Sequence, residues 1–386
     1  MSERCTARSV RRMSGLVDAA RGVLTTVAAH ADEGEVIRRL PAAVVEALRD
    51  EQLMRMCVPA VYGGPEADVR TLVEATEAIA TADGAAGWCA VIASTTSSLC
   101  CFLDPDWART IYGDPTVVTG GVFAPNATAE VVDGGWRATG RWMWGSGTQH
   151  CRYICGGAIV GGDEPQQYVM FFDAADVTFH DTWHTAGLRG TGSGDFSVDG
   201  AFVPSGRALR AFGGGPTIDA PIGRFPNFTL LAIGIASVAL GIARHALDAF
   251  AELATDKRPQ FSGRTLAQNG VIQADIARAE AGLRSARAWL LDEIDTAWAA
   301  VLAGDRLSDT TRAALRLAGA NVATQAAHAV DTAFTWAGGT AVFQSSPLQR
   351  CLRDVHVVTQ HIQVSPRLYE TVGRFLLGNE TDMRMM

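Results

Sequence analysis

The sequence predicts an α+β chain that is mainly α: a helical N-terminal region, a middle built of strands, and a long helical C-terminal region. Three observations carry this reading. Apolar positions recur at three- and four-residue steps through residues 14–112. Short strand-like runs follow one another through 113–212 with no helical pattern between them. Long helical patterns return and fill 213–386. Strands unbroken by helices favour an antiparallel barrel or sandwich over a parallel sheet in the middle domain.

Taken in order, residues 1–13 are basic with no apolar stretch, which reads as a flexible tail or as sequence upstream of a start at Met13. Helical spacing begins with Val36-Ile37-Leu40 and continues through Val44-Val45-Leu48, where Pro41 suits the first turn of a helix. Tyr62-Gly63-Gly64-Pro65 is a turn, and the pattern from Val69 breaks at Asp83-Gly84 before resuming to Cys101. In the middle domain Val132-Asp133-Gly134-Gly135-Trp136 carries a hairpin signal. Beyond Gly213-Gly214-Gly215-Pro216 the expected helices cover about 228–255, 267–303, 308–337, 347–362 and 366–377.

Composition narrows the class. The chain has 386 residues, 48% hydrophobic and 19% charged, with a net charge of −8. That apolar share excludes a disordered chain, and the acidic balance argues against nucleic acid, whose phosphates call for a basic surface. Phe228–Ala243 is the longest apolar run, short of the roughly 18 residues of a membrane span. The eight cysteines lie in apolar surroundings with no secretory signal, so buried reduced thiols and a cytoplasmic location are expected. Cys151 and Cys155 lack a second pair at zinc spacing, and no metal is expected.

Several motifs invite chemistry. Gly190-Thr191-Gly192-Ser193-Gly194 runs into the strand-like Asp195-Phe196-Ser197-Val198 rather than a helix, so it fits a tight turn near a ligand, not a dinucleotide loop. Trp142 and Trp144, two apart, are expected on one side of a strand, a pattern that more often marks core than cofactor platform. The glycines around Ser146 permit close approach of a planar ligand, to which the hydroxyl could donate. His356 and His361, spaced by five, face apart and form no metal pair. Arg353-Asp354 reads as a structural ion pair or a phosphate contact.

These strings, in this order, resemble the acyl-CoA dehydrogenase superfamily across the chain after residue 14. They are Tyr62-Gly63-Gly64, Gly140-Arg141-Trp142-Met143-Trp144-Gly145-Ser146-Gly147, Trp183-His184 through Ser193, Arg258-Pro259-Gln260-Phe261, and Gly338-Gly339 with Arg353-Asp354. The resemblance implies a helical N-terminal domain, a β-barrel and a C-terminal four-helix bundle in a homotetramer. It also implies FAD or FMN held between barrel and bundle. Trp142, Trp144, Ser146, Gly147, Thr191 and Ser193 would lie against flavin and substrate, Arg353 would contribute to the cofactor site, and Arg258 and Phe261 would reach the FAD of a neighbouring subunit.

Within that superfamily the sequence resembles the flavin-dependent monooxygenases, such as the oxygenase components that hydroxylate 4-hydroxyphenylacetate or 3-hydroxy-seco-steroids. Asp83-Gly84-Ala85-Ala86-Gly87-Trp88, Ser346-Pro347-Leu348-Gln349-Arg350 and a histidine after the Arg-Asp helix, here His361, carry this. The dehydrogenases place a catalytic glutamate where this chain has Ile362, and no carboxylate lies between Asp354 and Glu370 or between Asp219 and Asp248. The resemblance therefore implies an oxygenase that takes reduced flavin from a separate NAD(P)H-dependent reductase and forms a C4a-hydroperoxyflavin with O2. Ser146 would stabilise it near N5, and His361, with His356 in reserve, would deprotonate a phenol or stabilise the peroxide. An acyl-CoA dehydrogenase with a displaced base, Glu370 or a water, is the alternative. A flavin-free scaffold subunit is the third reading. Two departures bear on substrate choice. Gly145-Ser146-Gly147-Thr148-Gln149-His150 stands where these hydroxylases often have Ser-Ser-Gly-Cys-Asp-His, and Ser94–Phe102 contains no histidine.

Overall fold

The computed structural model describes residues 15–162 and 164–384, so the tail expected at 1–13 lies outside the described residues. The chain divides into two compact units. One gathers the chain up to Ala75, Trp88–His184 and Arg189–Asn227; the other gathers Thr76–Gly87, Thr185–Leu188 and the chain from Phe228 on.

In the first unit, residues 15–22 are helical, followed by α1 (Leu24–Ala29), α2 (Ala31–Ile37) and α3 (Ala42–Asp50). Pro41 stands immediately before α3, at its N-cap rather than in its first turn. The break at Asp83, which falls in the second unit with the rest of Thr76–Gly87, separates α4 (Val69–Ala82) from α5 (Gly84–Ser97), as expected. Helix α5 is apolar all round and buried along nearly its whole length. Helix α6 (Pro105–Tyr112) starts where Asp104 accepts hydrogen bonds from the backbone of Asp106 and Trp107, with Pro105 in the first turn.

A seven-stranded sheet follows: β1 (Thr119–Val132), β2 (Gly135–Trp142), β3 (Tyr153–Val160), β4 (Gln166–Asp173), β5 (Thr178–His180), β6 (Asp195–Pro204) and β7 (Ala208–Arg210), in the order β5-β6-β2-β1-β3-β4-β7. The β1–β2 hairpin closes at Asp133-Gly134, where Gly134 takes the φ of +76° that such a turn favours in glycine. One pairing departs from the antiparallel expectation: β3 runs parallel to β1, which makes the sheet mixed. The hairpin commits one edge of β1 to β2. The ten residues that follow β2 then cross to the other edge and return the chain in the direction of β1.

The second unit is built on α7 (Asn227–Asp256), α8 (Gly270–Ala303), α9 (Asp309–Ala337), α10 (Pro347–Thr359) and α11 (Arg367–Leu376). Asn269 and Ser308 cap α8 and α9, Gly304 ends α8 with φ +89°, and Pro347 opens α10. Gly241 permits close packing of α7 on the Thr76–Ala82 part of α4. A Cβ there would stand 2.4 Å from the Glu77 carbonyl oxygen. The Arg287 guanidinium holds the Glu77 carboxylate at 2.8 Å. Helix α7 and the stretch Gly84–Phe102 are long and apolar enough to cross a membrane, but most of each is buried inside the fold, as in core helices. Thus α7 is longer than its apolar run, because the helix continues through the polar residues that follow Ala243.

Candidate active site

In the sheet-bearing unit, everything turns on how the chain leaves β2. The strand ends at Trp142, whose indole is fully buried, stacked on Phe196 at 5.0 Å and tilted against Phe172 at 5.5 Å. Its Nε1 donates to the carbonyls of Gly157 (2.9 Å) and Ala124 (3.1 Å), and Gly156 stays bare because a Cβ would lie 2.4 Å from the ring. Trp142 is therefore a core residue whose ring is already covered on the protein side. Trp144 has φ +66° and is 65% exposed, so the two indoles do not share a face. The strand stops at Trp142, two residues short of Trp144, so the period-two expectation does not hold.

The turn beyond Trp144 is stitched to the Gly190–Gly194 turn by backbone bonds. Gly145 N donates to Gly194 O at 3.0 Å and Gly147 N to Thr191 O at 2.9 Å, with Gly147 at φ +65°. This brings three side-chain hydroxyls into a row. Trp88 Nε1 donates to Ser146 Oγ at 3.0 Å, Ser146 Oγ is 2.7 Å from Ser193 Oγ, and Ser193 Oγ is 2.6 Å from Thr191 Oγ1. All three hydroxyl residues are under a tenth exposed. Because Ser146 accepts from the indole, its own hydrogen is left to donate. The row contains no full charge. Neutral donors and acceptors suit the uncharged oxygen and nitrogen edge of an isoalloxazine, so these residues fit a flavin.

Two members of this neighbourhood were not assigned roles from sequence. Trp88 lies in the Asp83–Trp88 string, but nothing in that string says the indole reaches Ser146. His150 follows the serine turn, and its ring packs on Gly147, where a Cβ would stand 2.9 Å from Nε2. Burial pushes His150 down to about 4, so it is neutral near neutrality. No periodic or spacing signal marks a lone histidine of this kind.

In the helical unit, Arg353 and Asp354 grip the Thr185–Leu188 segment. Leu188 N donates to Asp354 Oδ1 at 2.6 Å, and the Arg353 guanidinium donates to the Ala186 carbonyl and to Gln349 Oε1 at 2.8 Å. Both residues thus act structurally on this segment. Helix α10 ends at Thr359, earlier than the expected 362, and leaves His361 in the following turn. There His361 Nδ1 accepts from the Gln363 N–H at 3.2 Å, which places the ring proton of the neutral form on Nε2. Burial, helped by the nearby Arg316 cation, pushes His361 down to about 4. In this state it is a hydrogen-bond donor rather than a base. His356 is exposed, and its Nε2 lies 2.8 Å from Asp331 Oδ1, a surface hydrogen bond between α10 and α9. Arg258 donates to Gly263 within its own loop at 2.8 Å, and Phe261 is 99% exposed with φ +65°. Ile362, at the position where the dehydrogenases carry their glutamate, is 72% exposed.

Comparison with known proteins bears directly on these features. The family described as acyl-CoA dehydrogenase, N-terminal domain, matches residues 14–103, and the acyl-CoA dehydrogenase C-terminal domain matches 233–366. An indole-3-acetate monooxygenase of Pseudomonas putida is 35% identical over 89% of this chain and 88% of its own length. The flavin-dependent monooxygenase oxygenase subunit HsaA of Rhodococcus jostii is 29% identical over 91% of this chain and 95% of its own. Among solved structures, XiaF from Streptomyces in complex with FADH2 and glycerol superposes with a TM-score of 0.91, at 25% identity, covering 98% of each chain.

Proposed function

The chain belongs to the acyl-CoA dehydrogenase superfamily and, within it, to the flavin-dependent monooxygenases; we propose that it is an oxygenase component that hydroxylates an aromatic or other small organic substrate. The observation that carries the site is the uncharged row Trp88–Ser146–Ser193–Thr191. Reduced flavin, when bound, supplies two electrons to O2, so that one oxygen atom enters the substrate and the other leaves as water.

The chain's own residues do the rest. Ser146, held by the Trp88 N–H, presents its hydroxyl hydrogen to the flavin edge, and Thr191 and Ser193 fix its direction. Trp144 offers an exposed ring for a planar group to cover, which would also exclude water from one face. His361 donates from Nε2 to an oxygen of substrate or oxidant, and the adjacent Arg316 discourages its protonation. We assign the cofactor as FAD, the form that would use Arg258 and Phe261 from a neighbouring copy, with Gly147 supporting the site. The working particle is then a homotetramer in the cytoplasm, served by a separate NAD(P)H-dependent flavin reductase.

The test supplies photoreduced FAD, O2 and a panel of aromatic compounds that includes indole-3-acetate, and measures hydroxylated product against hydrogen peroxide. Reduced flavin is expected to bind more tightly than oxidised flavin, and product is expected from at least one compound. Anaerobic bleaching of bound oxidised FAD by an acyl-CoA, with no oxygenated product, would overturn the reading in favour of a dehydrogenase.

A further inference from the structure

A cavity of about 440 Å3 in the sheet-bearing unit takes no part in the reading above. That volume lies within the roughly 300–1,000 Å3 of small-molecule pockets. Its lining includes Arg38, Arg39, Gln149, Phe179, Asp181 and Trp183.

The charges in this lining do not cancel. Arg38 is neutralised by Asp181, which it grips with both Nη atoms at 2.5 and 2.9 Å, and it also donates to the Trp183 carbonyl at 3.3 Å. Arg39 is exposed, and among the described residues its guanidinium makes no hydrogen bond or ion pair. The Gln149 amide is likewise without a partner among the described residues. Phe179 is 39% exposed, and Trp183 is half-buried. One unbalanced cation, one spare amide and two aromatic rings describe a binder of a flat ring that carries a single carboxylate.

The walls of the cavity also bear on the hydroxyl row. Gly192, at φ +56°, lies so close that a Cβ would stand 3.1 Å from the Arg38 carbonyl and 3.3 Å from Arg39 Cβ. A Cβ on Gly194 would stand 2.8 Å from the His180 carbonyl, and both Gly194 and His180 line the cavity. The glycines on either side of Ser193 are therefore the points where the two walls rest. This accounts for the second and third glycines of the Gly190-Thr191-Gly192-Ser193-Gly194 turn. We propose that the cavity is a second small-molecule site, for an aromatic monocarboxylate, whose occupant acts on the turn that carries Thr191 and Ser193. Binding at this site stands independently of the flavin chemistry; only its effect on hydroxylation rests on the monooxygenase reading.

The test is calorimetric titration of the full chain, in the absence of turnover, with phenylacetate and with neutral phenethyl alcohol. The wild type is expected to prefer the acid by about fivefold, the worth of one exposed ion pair. Arg39→Ala should abolish that preference, Ser146→Ala should retain it, and reduced FAD should not compete. Arg39→Gln repeats the measurement with a side chain of similar length, should the alanine variant fold poorly. No measurable heat with wild type, an unchanged preference in both Arg39 variants, or displacement by flavin would each overturn the proposal. None of these outcomes depends on product formation, so the proposal can fail while the oxygenase reading stands.

Discussion

At the scale of single residues, the site depends on what a serine hydroxyl can still do once an indole N–H has engaged it. Ser146→Ala removes the acceptor that Trp88 uses and one neighbour of Ser193. The expected stability loss is about 1–3 kcal/mol, the usual cost of removing one partner of a buried polar group, measured by urea unfolding. The same variant should divert turnover from hydroxylated product to hydrogen peroxide. Two histidines set an acid limit. His150 and His361 are both held at about 4, below the ordinary 6.5, so between those values the unfolded chain binds protons that the fold refuses. Their contribution is complete above pH 6.5 and is lost as pH falls toward 4. His361→Gln should flatten that decline by up to about 3 kcal/mol, followed by urea unfolding across the window. Ser146 was legible from its glycine neighbours and its string. The state of His361 was not, because sequence periodicity extends the helix through His361, whereas the chain turns there and brings the Gln363 N–H that fixes its tautomer onto Nδ1.

At the scale of elements, the Arg353–Asp354 step of α10 matters for what it holds. Gly187 lies against it, and a Cβ there would stand 2.3 Å from the Arg353 carbonyl oxygen. Gly187→Ala is expected to cost about 1–3 kcal/mol or more, because backbone rather than a flexible side-chain end must move. Asp354→Ala leaves the Leu188 N–H without the carboxylate it uses here, at a similar cost of about 1–3 kcal/mol. Both are read from denaturant midpoints, and a normal midpoint for Gly187→Ala would contradict the packing. The hairpin at Asp133-Gly134 was legible because its turn chemistry is local. The parallel β1–β3 pairing was not, since alternation locates strands without naming their neighbours. The burial of Trp142 has the same origin: Gly156 and Phe196, which make its slot, come from strands far along the chain.

At the scale of the whole chain, the three zones of helix, strand and helix follow from hydrophobic period, which long segments average over many turns. The bundle helices begin and end within three residues of expectation for that reason. Their ends are also marked by caps, such as Ser308 before α9 and Gly304 after α8. What binds to the assembled protein is less local. Phe261 is almost fully exposed, so Phe261→Ala should change stability by no more than about 0.5 kcal/mol. The same variant, together with Arg258→Ala, should weaken reduced FAD and leave reduced FMN unchanged, measured by anaerobic titration, while light scattering returns four chains per particle. An FAD affinity that the two substitutions leave unchanged would instead point to FMN.

The parallel pairing of β3 with β1 also sets where this chain can vary in length. The tip at Asp133-Gly134 joins two strands that stay in register whatever is inserted between them. The ten residues from Met143 to Arg152 must instead reach across the sheet and deliver β3 in phase, with Ser146 and His150 at set points along the way. An added or deleted residue there would have to be absorbed within the crossover, and would carry Ser146 or His150 away from its partners. Natural or engineered insertions should therefore accumulate at the hairpin tip, while the crossover keeps a constant count.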